Sequence, residues 1–63
     1  MNNNNFKIGD LVIIYNAIND PVAEEYLNDH GTILEIHPPY VKLQFLNGEI
    51  HNVLLKNIKE HFN

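Results

Sequence analysis

Four histidines, His30, His37, His51 and His61, are the residues of this chain best suited to chemistry. Neutral imidazole serves both as a metal ligand and as a general base near neutral pH. Their spacing argues against most of that chemistry. No two stand four apart on one helical face, and no pair of them brackets a glutamate in a metal-hydrolase pattern. His37 and His51 fall near the ends of predicted strands, so they are the pair a barrel could bring together as a two-histidine surface site. A structural metal centre needs three or four converging ligands, so surface or loop positions without a function are the expectation for all four. Cysteine is absent, which removes thiolate metal sites, disulfides and a cysteine nucleophile. Serine is absent too, leaving Thr32 as the only hydroxyl nucleophile besides the tyrosines, and it sits beside Gly31 in a predicted strand. No glycine-rich phosphate loop occurs. Glu24 and Glu25 are an adjacent carboxylate pair, but neighbours on a helical turn point in different directions. A chain of 63 residues is also expected to leave little room for a ligand-sized pocket. The expectation is a non-enzyme with no cofactor and no metal.

Charge is distributed unevenly. The formal net charge is −4, from eight acids and four lysines with no arginine. Between Ile8 and Val41 there is no cation, while Asp10, Asp20, Glu24, Glu25, Asp29 and Glu35 all lie there. Lys7, Lys42, Lys56 and Lys59 stand outside that stretch. Nucleic-acid affinity comes largely from cations that displace counterions at phosphates, so this balance makes a weak footprint. An acidic surface aimed at a basic partner competes with a plain solvated loop. No apolar run approaches the ~18 residues of a membrane span and no signal-peptide pattern opens the chain, so a soluble cytoplasmic protein without membrane contact is expected. Abundant asparagine and isoleucine, with scarce alanine, point to an AT-rich genome of a bacterium, phage or plasmid.

The elements that would position these residues read as strands. Residues 1–5 are a methionine and four asparagines, expected to be a disordered tail before one domain at 6–63. Leu11-Val12-Ile13-Ile14-Tyr15 is a β-branched apolar run that predicts a strand buried or covered on both faces, with Val12 and Ile14 opposite Leu11, Ile13 and Tyr15. Asp20-Pro21-Val22-Ala23-Glu24 predicts a helix start, with aspartate at the cap and proline at the first helical position. Asn28-Asp29-His30-Gly31 would end it after a turn or two. A meander follows from Gly31 to Val53. Ile33 and Ile36 are three apart, which calls for a bulge near Leu34-Glu35. Pro38-Pro39 marks a turn because neither residue donates to a ladder. Val41, Leu43 and Phe45 alternate with Lys42 and Gln44. Asn47-Gly48 predicts a two-residue type I′ hairpin into a strand with Ile50 and Val53. A helical turn at Leu54 to Asn57 and a last strand from Ile58 to Phe62, paired with the first, would close the fold. The predicted meander core is Ile33, Ile36, Val41, Leu43, Phe45, Ile50 and Val53.

This order of elements resembles the SH3-like barrels, in particular KOW-type and other small prokaryotic members. Lys7-Ile8-Gly9-Asp10-Leu11-Val12 looks like their x-x-G-D-x-V opening, Gly31-Thr32-Ile33-Leu34-Glu35-Ile36 like G-x-V-x-x-I, and Val53-Leu54-Leu55-Lys56-Asn57-Ile58 like a closing V-x-x-x-x-L/I. The fold class expected is therefore all-β, a small five-stranded SH3-like barrel with short helical turns in the first long loop and before the last strand. No tryptophan is present, and polyproline-binding SH3 grooves rely on one. The expected function is a protein-interaction module, such as an accessory subunit or a phage- or mobile-element-encoded inhibitor, that binds a larger protein with a basic surface. Asp20, Glu24, Glu25, Tyr26, Asp29 and Tyr40 are the expected partner-binding residues. Tyr26 and Tyr40 are expected to be partly exposed and, with Leu34 and Leu46, to form an apolar patch for that partner or a second copy, leaving monomer and homodimer both open. The alternative implied by the KOW-type resemblance is a nucleic-acid-associated accessory using Lys42, Lys56, Lys59 and Tyr40.

Overall fold

The computed structural model describes residues 6–61, so the expected N-terminal tail at 1–5 and the end of the last strand at Phe62 lie outside the described residues. Five antiparallel strands, β1 (Leu11–Ile14), β2 (His30–His37), β3 (Tyr40–Phe45), β4 (Ile50–Leu54) and β5 (Ile58–Glu60), form one sheet in the order β4-β3-β2-β1-β5. The fold is small and all-β, as expected. Among the described residues the helical parts are one short helix, α1 (Pro21–Glu25), in the loop after β1, and a 3-10 turn (Leu55–Asn57) between β4 and β5.

Alternation decides the core. Val12, Ile14, Ile33, Val41, Leu43, Phe45, Val53 and Ile58 are buried from the strands, and Ala23 and Tyr26 join them from α1 and its C-cap. Ile36 is half-buried and packs against this cluster. In β1 the inner face is as expected, but Leu11 and Tyr15 on the other face remain exposed, so the strand is covered on one side only. The register of β2 on β3 shifts between Ile33 and Glu35, which is the bulge that the three-residue spacing of Ile33 and Ile36 requires.

The hairpin after β3 differs from the expected type I′ turn. Gly48 N–H donates to the Phe45 carbonyl (2.9 Å) and Phe45 N–H to the Glu49 carbonyl (2.9 Å), so Leu46, Asn47 and Gly48 form a three-residue loop. Only Gly48 of these has positive φ (89°), and the Asn47 side chain accepts from Glu49 N–H (2.9 Å). This is a type I turn closed by a left-handed glycine. One extra loop residue moves the register by one and reverses which side chains face inward. Gln44 therefore lies opposite Ile50 and Val41 opposite Val53. Ile50, expected in the core, is turned outward and 50% exposed, while Val53 is buried.

A buried polar node fastens the long loop after β1 to the sheet. Asp20 caps α1, its carboxylate accepting from Ala23 N–H (3.2 Å), and the same carboxylate accepts from Leu54 N–H (2.8 Å) and Asn57 Nδ2 (3.2 Å). Asn57 also donates to the Ile18 carbonyl (3.2 Å) and accepts from Ile18 N–H (3.2 Å), while its backbone carbonyl takes Tyr15 N–H (3.0 Å). Both side chains are buried, and no buried side-chain polar atom among the described residues lacks a partner. Removing either residue strands several donors or acceptors away from water. Asn57→Ala and Asp20→Ala should each lower unfolding free energy by about 2–4 kcal/mol in urea titrations, with Asp20→Asn intermediate. A loss within ~0.5 kcal/mol, the usual range of surface substitutions, would show that the node carries little.

Candidate functional site

The residues expected to form one partner surface fall into three places. Glu24 and Glu25, on α1, and Asp29, just before β2, are exposed. Asp20 is not a surface acid. It is buried, because capping α1 and bonding Leu54 and Asn57 draw its carboxylate inward. Tyr26 is not partly exposed either. Its ring is 6% exposed and stacks on Phe45, centroids 3.9 Å apart and 17° from parallel. The reason is its place at the C-cap of a helix only five residues long, which turns it from the acidic face onto the sheet. Tyr40 is half-exposed, as expected, opposite His37 and Leu54 in register. Tyr26 packs at the Phe45 end of β3 and Tyr40 starts that strand, so about 17 Å of strand separates them. The structure therefore does not join them in one patch. Leu46, 89% exposed, stands at the Tyr26 end, and Leu34 is half-buried at the bulge.

At the Phe45 end, polar groups form a connected set. The Tyr26 hydroxyl donates to Glu49 Oε1 (2.8 Å) and accepts from Asn47 Nδ2 (3.3 Å), and His51 Nε2 meets the same Glu49 oxygen at 2.8 Å. His51, followed by Tyr26, holds the Glu49 carboxyl below its usual range against a weaker effect of burial. The Asn47 amide pulls the Tyr26 phenol down, but the bond to Glu49, burial and the charges of Glu49 and Glu25 together push it up. A cleft of ≈ 210 Å³ beside this set is lined by Tyr26, Asp29, His30, Phe45, Leu46 and Asn47. On β2, His37 Nε2 lies 2.8 Å from Glu35 Oε1 and Lys42 Nζ 3.6 Å from it, and both hold the Glu35 carboxyl low, the histidine more strongly. Asp10 is held low first by a hydrogen bond from Glu60 and then by Lys7 N–H (2.9 Å), while burial and Asp10 push Glu60 up.

The expectation for the histidines changes. His37 and His51 each pair with the carboxylate two residues before them and do not form a site with each other. It is His30 and His61 that meet, Nε2 to Nδ1 at 3.0 Å. Among the described residues, no three His, Cys, Asp or Glu side chains gather as a metal cluster.

A second concavity was not legible in the sequence. An open groove of ≈ 700 Å³ lies at the Pro38–Pro39 end, and Phe6, Tyr15, Ile36, Pro39, Leu55 and Lys56 are among its lining residues. That volume is within the range of ligand pockets, which corrects the expectation that so small a chain leaves no such space. Its walls come from four separate stretches that read individually as strand ends and turns, so only their convergence reveals it. Among the described residues no helix is long and apolar enough to cross a membrane. Comparison of the chain with protein-family models, curated proteins and solved structures returns no match.

The Glu49 set has a pH signature. A carboxyl lowered in the folded state contributes stability that is complete above its unfolded value and is lost as pH falls through its folded value. Glu49→Gln should therefore lower the melting temperature at pH 7, and that deficit should shrink as pH falls through the folded value of Glu49, where the native carboxyl becomes protonated as well. Tyr26→Phe should show a similar, smaller deficit. A deficit for Glu49→Gln that stays constant as pH is lowered would mean that packing, not charge, holds the set.

Proposed function

We propose that the protein is a non-enzymatic interaction module, built on an SH3-like barrel, that docks on a larger protein as an accessory subunit or inhibitor. The observation that carries this reading is the groove at the Pro38–Pro39 end, open to solvent and predominantly apolar, with Lys56 as a charged residue in its lining. Apolar anchors that fill such a groove supply most of the binding energy of an interface, and charges around it set approach and orientation. Exposed Glu24, Glu25 and Asp29 favour a partner whose surface is basic beside the segment that enters the groove. Tyr40, opposite Leu54 in register, extends the apolar surface at the rim.

One observation favours a second reading. Lys59 Nζ lies 5.4 Å above the centre of the Tyr15 ring, and Lys56 shares the groove with that ring. An aromatic face flanked by two cations also suits a single-stranded nucleic acid.

Photo-crosslinking in source cells separates these readings. A benzoylphenylalanine at position 15 should capture one protein, with capture weakened by Lys56→Glu, whereas the same probe at exposed position 52 should not. Reversing Glu24, Glu25 and Asp29 to Lys should slow association about tenfold at low salt and flatten its salt dependence. Identical adducts from positions 15 and 52 would rule out the groove. A gel shift with single-stranded nucleic acid at ~50 mM salt, abolished by Lys56→Glu with Lys59→Glu, would transfer the assignment to nucleic acid.

A further inference from the structure

His30 and His61 are 31 residues apart in the chain, yet His30 Nε2 and His61 Nδ1 lie 3.0 Å from each other near the surface. His30 opens β2 opposite Ile13, and His61 follows β5 with its backbone N–H donating to the Leu11 carbonyl (3.1 Å). Since β1 lies between β2 and β5, the two imidazoles reach towards each other across it from the flanking strands. Backbone pairing thus places both rings before any ligand arrives, which removes part of the ordering cost of binding.

We propose that these two histidines form a chelating site for a divalent transition ion that favours right-angled coordination, Cu²⁺ ahead of Ni²⁺. Two geometric observations carry it. With metal–nitrogen bonds of about 2.0–2.1 Å, two ligands at a right angle stand about 2.9 Å apart and two at a tetrahedral angle about 3.3 Å. The 3.0 Å separation fits the right angle. The rings also stand edge to face, 88° between planes, with centroids only 4.4 Å apart. A straight hydrogen bond between two imidazoles would set their centres about 5.3 Å apart, whereas a right-angled chelate sets them about 4.5 Å apart. The two rings are therefore not aligned end to end along one line, and their facing nitrogens are close enough to share one ion.

Binding needs no redox step and no net loss of a proton from neutral rings. The facing nitrogen that carries hydrogen transfers it through water to its ring's other nitrogen, leaving two lone pairs on the ion. No third His, Cys, Asp or Glu completes a cluster among the described residues, so water occupies the other positions. His37 and His51 offer no comparable pair, each being engaged by a carboxylate at 2.8 Å. An ion here would tie the short edge strand β5 to the central part of the sheet.

The test uses the untagged full chain at pH 7.5 with Cu²⁺ as the added species. Expected are one-to-one binding by calorimetry and a melting temperature raised by about 5 °C at saturation, reversed by a chelator. Paramagnetic broadening in ¹H–¹⁵N spectra should centre on residues 11–13, 30 and 59–61. His30→Ala and His61→Ala should each remove the shift, while His37→Ala and His51→Ala keep it. If His30→Ala does not fold, His61→Ala, which lies beyond the last strand, decides alone. No thermal shift, broadening centred on His37 or His51, or equal losses from all four single variants would overturn the site.

Discussion

The carboxylate of Asp20 and the amide of Asn57 form the contact on which the rest of this structure depends. A chain of this size buries few large side chains, and its core comes mainly from strands. The stretch between β1 and β2 adds Ala23 and Tyr26 to that core, which is little to fix its path. Hydrogen bonds replace the missing hydrophobic contacts. One carboxylate oxygen caps α1, and the other receives Leu54 N–H and Asn57 Nδ2. Such bonds are stronger for being charge-assisted and buried, and costly to leave half made.

The same node shapes the surface proposed for docking. Asn57 ends the 3-10 turn that carries Leu55 and Lys56, and its carbonyl receives the backbone N–H of Tyr15. Two walls of the groove are thus held by one buried residue. The acids Glu24, Glu25 and Asp29 lie elsewhere, on α1 and just before β2. In the proposed docking, anchoring and steering therefore fall to separate surfaces. Tyr26 belongs to neither. Its stacking on Phe45 and its bonds to Glu49 and Asn47 hold α1 against the hairpin.

Much of the fold was legible because its signals are local. The Asp20-Pro21 helix start, the bulge demanded by Ile33 and Ile36, the Pro38-Pro39 turn and the alternation of Val41, Leu43 and Phe45 each need only a few neighbouring residues to be read. The hairpin shows where local reading fails. Asn47-Gly48 supports either a two- or a three-residue loop, and the choice moves the register by one, which sent Ile50 outward while Val53 stayed in the core as expected. The candidate site was less legible. Aspartate at a helix cap and aspartate on a solvated loop are the same letter, so the burial of Asp20 depended on Leu54 and Asn57, more than thirty positions away.

By itself, the sequence determined that this protein is a small all-β domain, how its strands and its one capped helix are delimited, and that it lacks cysteine and serine chemistry. Periodicity, turn chemistry and composition act over short distances along the chain, which is why they suffice for those conclusions. Tertiary structure alone decided which of the four histidines meet, which acids face water, and that strand ends and turns converge on a groove. Each of those outcomes joins residues distant in sequence through strand order and register, and no local pattern carries that information. The four histidines are equal as letters; β1, lying between β2 and β5, selects His30 and His61.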